Sequence, residues 1–334
     1  MKTFSISYSQ RGMTLLEVMI SLAVGVFLLG GVMATYVAMR TTTAETTRIG
    51  EMQEAGKVAM AILSQEISQA GFVGRLSPKQ IHSADTALLA GLIPANDADC
   101  ISPGQNNGSF PNGSLSTFNY IYGFDITGST AFGCVSEAAS DNDALQIKRV
   151  IGDTLLPENR NAGEFYLASN TSEGIFFPGN VTDANVPTLS NRDIWLYSHS
   201  VFYIGGTNGV PALAMERLSI DEDDGEFNRR FLVPGVERMR FMFGIDTTGD
   251  GAVNTYMPSS AMMREDWEGR LLPNGELSKV LNVRVFLLVR AIAEDPNYTN
   301  NITYQLGDET VSGNGDNFRR MLFSSTIKIE NAQL

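Results

Sequence analysis

Glu17 is a carboxylate at the leading edge of an apolar run: no charged residue occurs from Val18 to Met39, and Leu15, Leu16, Val18, Ile20, Leu22 and Val24 open a stretch long enough to cross a bilayer. An acidic residue at mid-bilayer costs about 2.5–3.5 kcal/mol, whereas each Leu, Ile, Val or Phe returns about 0.3–0.6 kcal/mol, so the run still inserts. An ion left alone in lipid is costly and a paired one much less so, which makes Glu17 a candidate for pairing with a positive group. Its simpler use is to reach the lipid–water interface.

Two cysteines are present, Cys100 and Cys134, both beyond the apolar run, where export would place them in an oxidising compartment. They read as one disulfide, against the alternative of two unrelated buried thiols. A second cluster lies at Asp246, Thr248, Asp250, Ala252 and Asn254, which offer oxygen atoms at alternate positions around the bend at Gly251. The spacing resembles the start of an EF-hand-type calcium loop, so Ca2+ is a possible cofactor. Met257 stands where a bidentate Glu is expected, and Glu265 or Asp266 would have to complete the ligand set. The competing reading is a Gly/Asp-rich hairpin turn that needs no metal. The run Asp221-Glu222-Asp223-Asp224 reads as a solvated loop, and only His82 and His199 could serve as imidazole bases. HExxH, CxxC, Walker, GxGxxG and GxSxG patterns do not occur, so no enzyme activity is expected.

These residues need elements to carry them. Past the apolar run, Ile49, Met52, Val58, Ile62, Leu63 and Ile67 approximate helical spacing, with Glu51, Glu54, Lys57 and Glu66 between them. The helix is therefore expected to continue out of the lipid and to end near residues 70–76, where Gly71, Gly74 and Pro78 interrupt it. Residues 77 to about 140 are rich in Gly, Asn, Ser and Pro and read as loops with short strands. Alternation then marks strands at Ile194–Tyr197, Val201–Ile204, Met239–Ile245, Val283–Arg290 and Met321–Ile329. The fold class expected is α+β, a long amino-terminal helix packed on an antiparallel β-sheet. Its segments are a leader (1–12), a transmembrane helix (13–39), an amphipathic continuation (40–76) and one β-rich domain (77–334). The net charge of -13 opposes nucleic acid as a partner. Lys2 and Arg11 lie before the apolar run, so the rest of the chain is expected to face outward.

The string Arg11-Gly12-Met13-Thr14-Leu15-Leu16-Glu17-Val18 resembles the type IV prepilin signal, a basic leader ending in Gly with a glutamate fifth after the cut. The resemblance implies cleavage between Gly12 and Met13 by a prepilin peptidase, N-methylation of Met13, and pairing of Glu17 with the terminal amine of a neighbouring subunit. Met13 departs from the Phe usual after the cut, and Gly25, Gly30 and Gly31 replace the Pro common in the membrane half of major pilins. The strand ending Phe243-Gly244-Ile245-Asp246, the strand Val283–Arg290 and the terminal strand ending near Asn331 are similar to the PilW family of minor pilins. That family implies a pilin-like fold and a part in priming or assembling a type IV pilus with other minor pilins and the major pilin. The implied location is the inner membrane before assembly and the pilus, outside the cell, afterwards. A type II secretion pseudopilin similar to GspJ is the close alternative, and an anchored adhesin or enzyme a further one.

Overall fold

A computed structural model describes residues 12–77, 86–89, 99–112, 117–221 and 224–333. The leader through Arg11, and Pro78, His82, Glu222 and Asp223, lie outside the described residues. The chain divides into two compact units at Glu51/Met52, twelve residues beyond the expected end of the membrane segment. In the first unit, helix α1 (Leu15–Ser68) begins, and the large apolar side chains from Leu15 to Met39 are all exposed. It is long and apolar enough to cross a membrane.

In the second unit the end of α1 buries Met52, Gly56, Ala59, Leu63 and Ile67, a stripe with 4-3-4-4 spacing that keeps to one helix face. The expected stripe is corrected at Val58, which is 45% exposed because it lies about 100° off that face. The small residues at 56 and 59 take its place, since they let a ring approach. A Cβ at Gly56 would overlap the Phe323 side chain. Glu66 also leaves its expected solvent position: its two carboxylate oxygens accept from Arg149 Nε and Nη2, each at 2.8 Å. The helix stops at Ser68, earlier than expected, because Gly71 turns to a φ of 75° and donates its N–H to Lys148 O at 3.0 Å.

The strands that follow are β1 (Thr86–Leu88), β2 (Ile121–Ile126), β3 (Asn142–Ile151), β4 (Phe165–Ser169), β5 (Gly174–Pro178), β6 (Asp193–Thr207), β7 (Val210–Asp221) and β8 (Asp224–Pro234). They form one sheet in the order β1-β5-β4-β6-β3-β2, with β7 paired to the later part of β6 and β8 to β7. All its pairings are antiparallel except β1 with β5. The two strands expected at 194–197 and 201–204 are one, because β6 runs unbroken for 15 residues. A second antiparallel sheet, ordered β10-β9-β11-β12, contains β9 (Val236–Asp246), β10 (Thr255–Pro258), β11 (Lys279–Arg290) and β12 (Arg320–Lys328). On β9 the alternating Met239, Phe241, Phe243 and Ile245 are all buried. They join Leu63 and Ile67 of α1, Phe202 of β6 and Val283, Val285 and Leu287 of β11 in the main core. A short helix α2 (Arg264–Glu268) lies between β10 and β11.

Candidate functional site

Thr14 and Glu17 close on each other at the start of α1. Thr14 N–H and Oγ1 both donate to Glu17 Oε2, at 2.9 and 3.0 Å, and Glu17 N–H donates back to Thr14 Oγ1 at 3.3 Å. This reciprocal pair is a capping box: Thr14 precedes the first helical residue, and Glu17 is third within the helix. It satisfies amides that the helix leaves without intrahelical partners. The Thr14-x-x-Glu17 spacing ahead of an apolar run carried that signal, which the reading of Glu17 as an ion in lipid passed over. Gly12 has open space around it and Met13 is 68% exposed, so the Gly12–Met13 peptide bond is unobstructed within the described residues.

Cys100 and Cys134 form the expected disulfide. Beside it lies a polar cluster that the sequence reading did not bring together. Asp99 Oδ1 accepts from Cys100 N–H at 2.8 Å and from Ser109 Oγ at 2.6 Å. Ser109 Oγ also lies 3.0 Å from His199 Nδ1, and Gln146 Nε2 lies 2.6 Å from His199 Nε2 and donates to Cys100 O at 2.7 Å. Serine, histidine and aspartate are the residues of a hydrolytic relay, but here the serine stands between the acid and the imidazole. A relay requires the imidazole between the other two. Ser109 and His199 are wholly buried, so no substrate carbonyl can approach the hydroxyl. Burial, and then the nearby Lys148, hold the His199 imidazole well below its ordinary pKa. Burial likewise lowers Lys148 to about 7, against the attraction of Asp99.

The Asp246 loop is folded around its own carboxylate. Asp246 Oδ1 accepts the amides of Thr248 and Gly249 at 2.9 and 2.7 Å, and Oδ2 that of Gly251 at 2.7 Å. Burial raises the Asp246 carboxyl, yet the amides of Gly251, Thr248 and Gly249 together hold it below the usual carboxylate value. Asn254 Oδ1 accepts from Thr247 N–H at 2.7 Å, and the Asp250 carboxylate accepts from the Ala252 amide at 3.0 Å. Asp266 is engaged at α2, where it accepts from Met263 N–H and Arg270. Among the described residues no group of three His, Cys, Asp or Glu side chains is placed to hold a metal ion. The geometry is that of an Asx-type turn after a strand.

A capped helix, uncharged from Val18 to Met39 and directly behind an accessible Gly–Met junction, continuing in the chain into a mostly antiparallel sheet domain, defines a pilin-like subunit. Residues 8–33 match the prokaryotic N-terminal methylation motif, and residues 201–331, from within β6 to the end of the second sheet, match the type IV pilus-assembly protein W family. The two matches support a PilW-like type IV minor pilin with a role in pilus assembly. These matches favour the pilus over the secretion pseudopilin and the anchored adhesin or enzyme. No curated protein and no solved structure matches the chain.

Proposed function

We propose that the chain primes pilus assembly by contact with other minor pilins and the major pilin, and that Glu17 makes the decisive contact. The supporting observation is a carboxylate at the head of a helix whose apolar side chains are exposed and carry no charge from Val18 to Met39. In the single chain Thr14 holds this carboxylate; in a filament the amine freed on Met13 of a neighbour offers it a full positive charge. The membrane segment then serves as a packing surface between subunits, with the second unit facing outward before assembly and outside the cell after it. We also propose that the chain performs no catalysis, since the Asp99–Ser109–His199 cluster among the described residues is sealed in the core.

Two substitutions test this reading. Glu17→Ala is expected to leave the chain in the membrane and to reduce its recovery in sheared pili at least tenfold; unchanged incorporation ends the pairing idea. Gly12→Ile is expected to leave residues 1–12 attached, detected as an intact leader by mass spectrometry of the membrane fraction. A mature amino terminus still beginning at Met13 would rule out the peptidase assignment.

A further inference from the structure

Between β11 and β12 the chain makes a hairpin, Thr303–Leu306 against Glu309–Ser312, whose strands pair with each other and with neither large sheet. Side chains, not a backbone ladder, hold it down. Tyr304, Leu306 and Val311 pack on Phe286 and Leu288 of β11, and Leu288 is wholly buried there. At the tip, a Cβ on Gly307 would lie 3.0 Å from Met242 and 3.2 Å from Phe286. The hairpin thus covers the face of the second sheet opposite Phe241 and Val285, where Arg240 stands across from Phe286. The two residues after Gly307 carry charge onto that face. Asp308 accepts from Nε and Nη2 of Arg240, each at 3.0 Å, and Glu309 Oε1 lies 3.2 Å from Nη2. The same guanidinium turns Nη1 to Asp143 of β3 at 2.8 Å and to Asp125 of β2 at 3.7 Å. Arg238, two residues along the same face, is anchored on Ser140 O at 3.0 Å and also attracts Glu309.

The four carboxyl groups do not compete for Arg240 on equal terms. The Asp143 side chain has no exposed surface, so once ionised it depends on the guanidinium. The Asp308 and Glu309 side chains are 37% and 44% exposed and can exchange the guanidinium for water at little cost. An ionised Asp143 also sets a like charge beneath both of them. We propose that the hairpin is a latched flap, shut over Phe286 and Leu288 while Asp143 carries a proton, and freed when Asp143 loses it and takes Arg240 from Asp308 and Glu309. Burial holds the Asp143 carboxyl up at about 7, with Arg240 drawing it down, and burial also raises Glu309. Because the Asp143 value is raised in the shut form, protonation favours the shut flap below about 7, and proton loss favours opening above it. An opening that admits water and returns Asp143 to about 4 makes the opening equilibrium rise about tenfold between pH 6 and pH 8. The device lies wholly in the second unit, so it stands whether or not Glu17 pairs as described above.

Hydrogen exchange of the full chain in detergent tests this at pH 6, 7 and 8, with rates corrected for the intrinsic effect of pH on amide exchange. Mass spectrometry of peptides covering Thr303–Ser312 reads the flap, and peptides covering Val283–Val289 of β11 read the sheet beneath it. In the unsubstituted chain the flap amides are expected to lose protection about tenfold from pH 6 to pH 8 while the β11 amides keep theirs. Asp143→Asn, which still accepts the Phe241 amide, is expected to remove the pH dependence and leave the flap shut. Asp308→Asn with Glu309→Gln, both at exposed positions, is expected to lower flap protection at least tenfold already at pH 6. Flap protection that does not change with pH in the unsubstituted chain overturns the proposal, as does an equal loss in β11, which would be unfolding of the sheet. A pH dependence that survives Asp143→Asn rejects Asp143 as the sensor, and full protection in the double variant at pH 6 rejects the latch.

Discussion

Replacing Arg240 by leucine is expected to lower the unfolding free energy by about 3–5 kcal/mol, the largest effect of any single substitution considered for the second unit. Arg240 lies on β9, on the face opposite Met239 and Phe241, where alternation predicts exposure, yet it is 4% exposed. Its guanidinium holds four carboxylates together. Nη1 reaches Asp143 Oδ1 at 2.8 Å and Asp125 Oδ2 at 3.7 Å, and Nη2 reaches Asp308 Oδ2 at 3.0 Å and Glu309 Oε1 at 3.2 Å. Asp143 has no exposed side-chain surface, and its other oxygen accepts the Phe241 amide at 2.7 Å. Removing the cation leaves a buried charge beside three others of the same sign, and the leucine side chain returns only part of that loss through burial.

The pH dependence of this variant separates charge from packing. Burial pushes the Asp143 carboxyl up to about 7, with Arg240 pulling it down, and burial also raises Glu309. A carboxyl raised above its unfolded value near 4 contributes stability that is full below that value and lost as pH rises through about 7. Without Arg240 the opposing pull disappears and the Asp143 carboxyl rises further. The deficit of Arg240→Leu against the parent chain should therefore be largest near pH 8 and shrink toward pH 5, as protons neutralise the stranded carboxylates. Urea denaturation followed by tryptophan fluorescence at both pH values reads this directly, and equal deficits would reject the electrostatic account. Adding Asp143→Asn should restore much of the loss, because the carboxamide still accepts the Phe241 amide but carries no charge.

Arg240 also shows why part of the fold was legible in the sequence and part was not. Strands such as β9 and β11 bury one phase of aliphatic and aromatic residues against α1, and that period of two reads directly from Met239, Phe241, Phe243 and Ile245. Strand β3 buries both faces from Asn142 to Val150 and has no such period. Its polar side chains are satisfied by distant partners: Asp143 by Arg240, Gln146 by His199 and Cys100, Lys148 by Asn119, and Arg149 by Glu66. Those pairings join residues about 30 to 100 positions apart, so pattern within a short window could not reveal them, and β3 is not among the strands that alternation marks. The candidate site divides in the same way. Gly12, Met13 and Glu17 lie in one local string and are read together from it. The polar cluster of Asp99, Ser109, Gln146 and His199 draws on separated segments, and no local motif marks it.

Removing the disulfide by Cys100→Ala with Cys134→Ala is expected to cost about 3–4 kcal/mol, from the loop entropy of a 34-residue separation. The loop it closes has little to hold it otherwise. Between the two cysteines the only strands among the described residues are β2 and a two-residue strand at Thr130–Ala131. Much of the remainder is tied by polar contacts, including those of Asp99 and Ser109 and the bond from Asn107 Nδ2 to Gln146 Oε1 at 3.1 Å. Such bonds are worth about 1 kcal/mol each in net terms and depend on the loop being held in place first. The crosslink is placed to do so, because Cys100 is fully buried against β3 and its carbonyl accepts from Gln146. Reductant should therefore lower the urea midpoint of the parent chain to that of the double variant and leave the double variant unchanged. If the double variant unfolds at the midpoint of the oxidised parent, the polar contacts alone hold the loop, and the disulfide follows from the fold without supporting it.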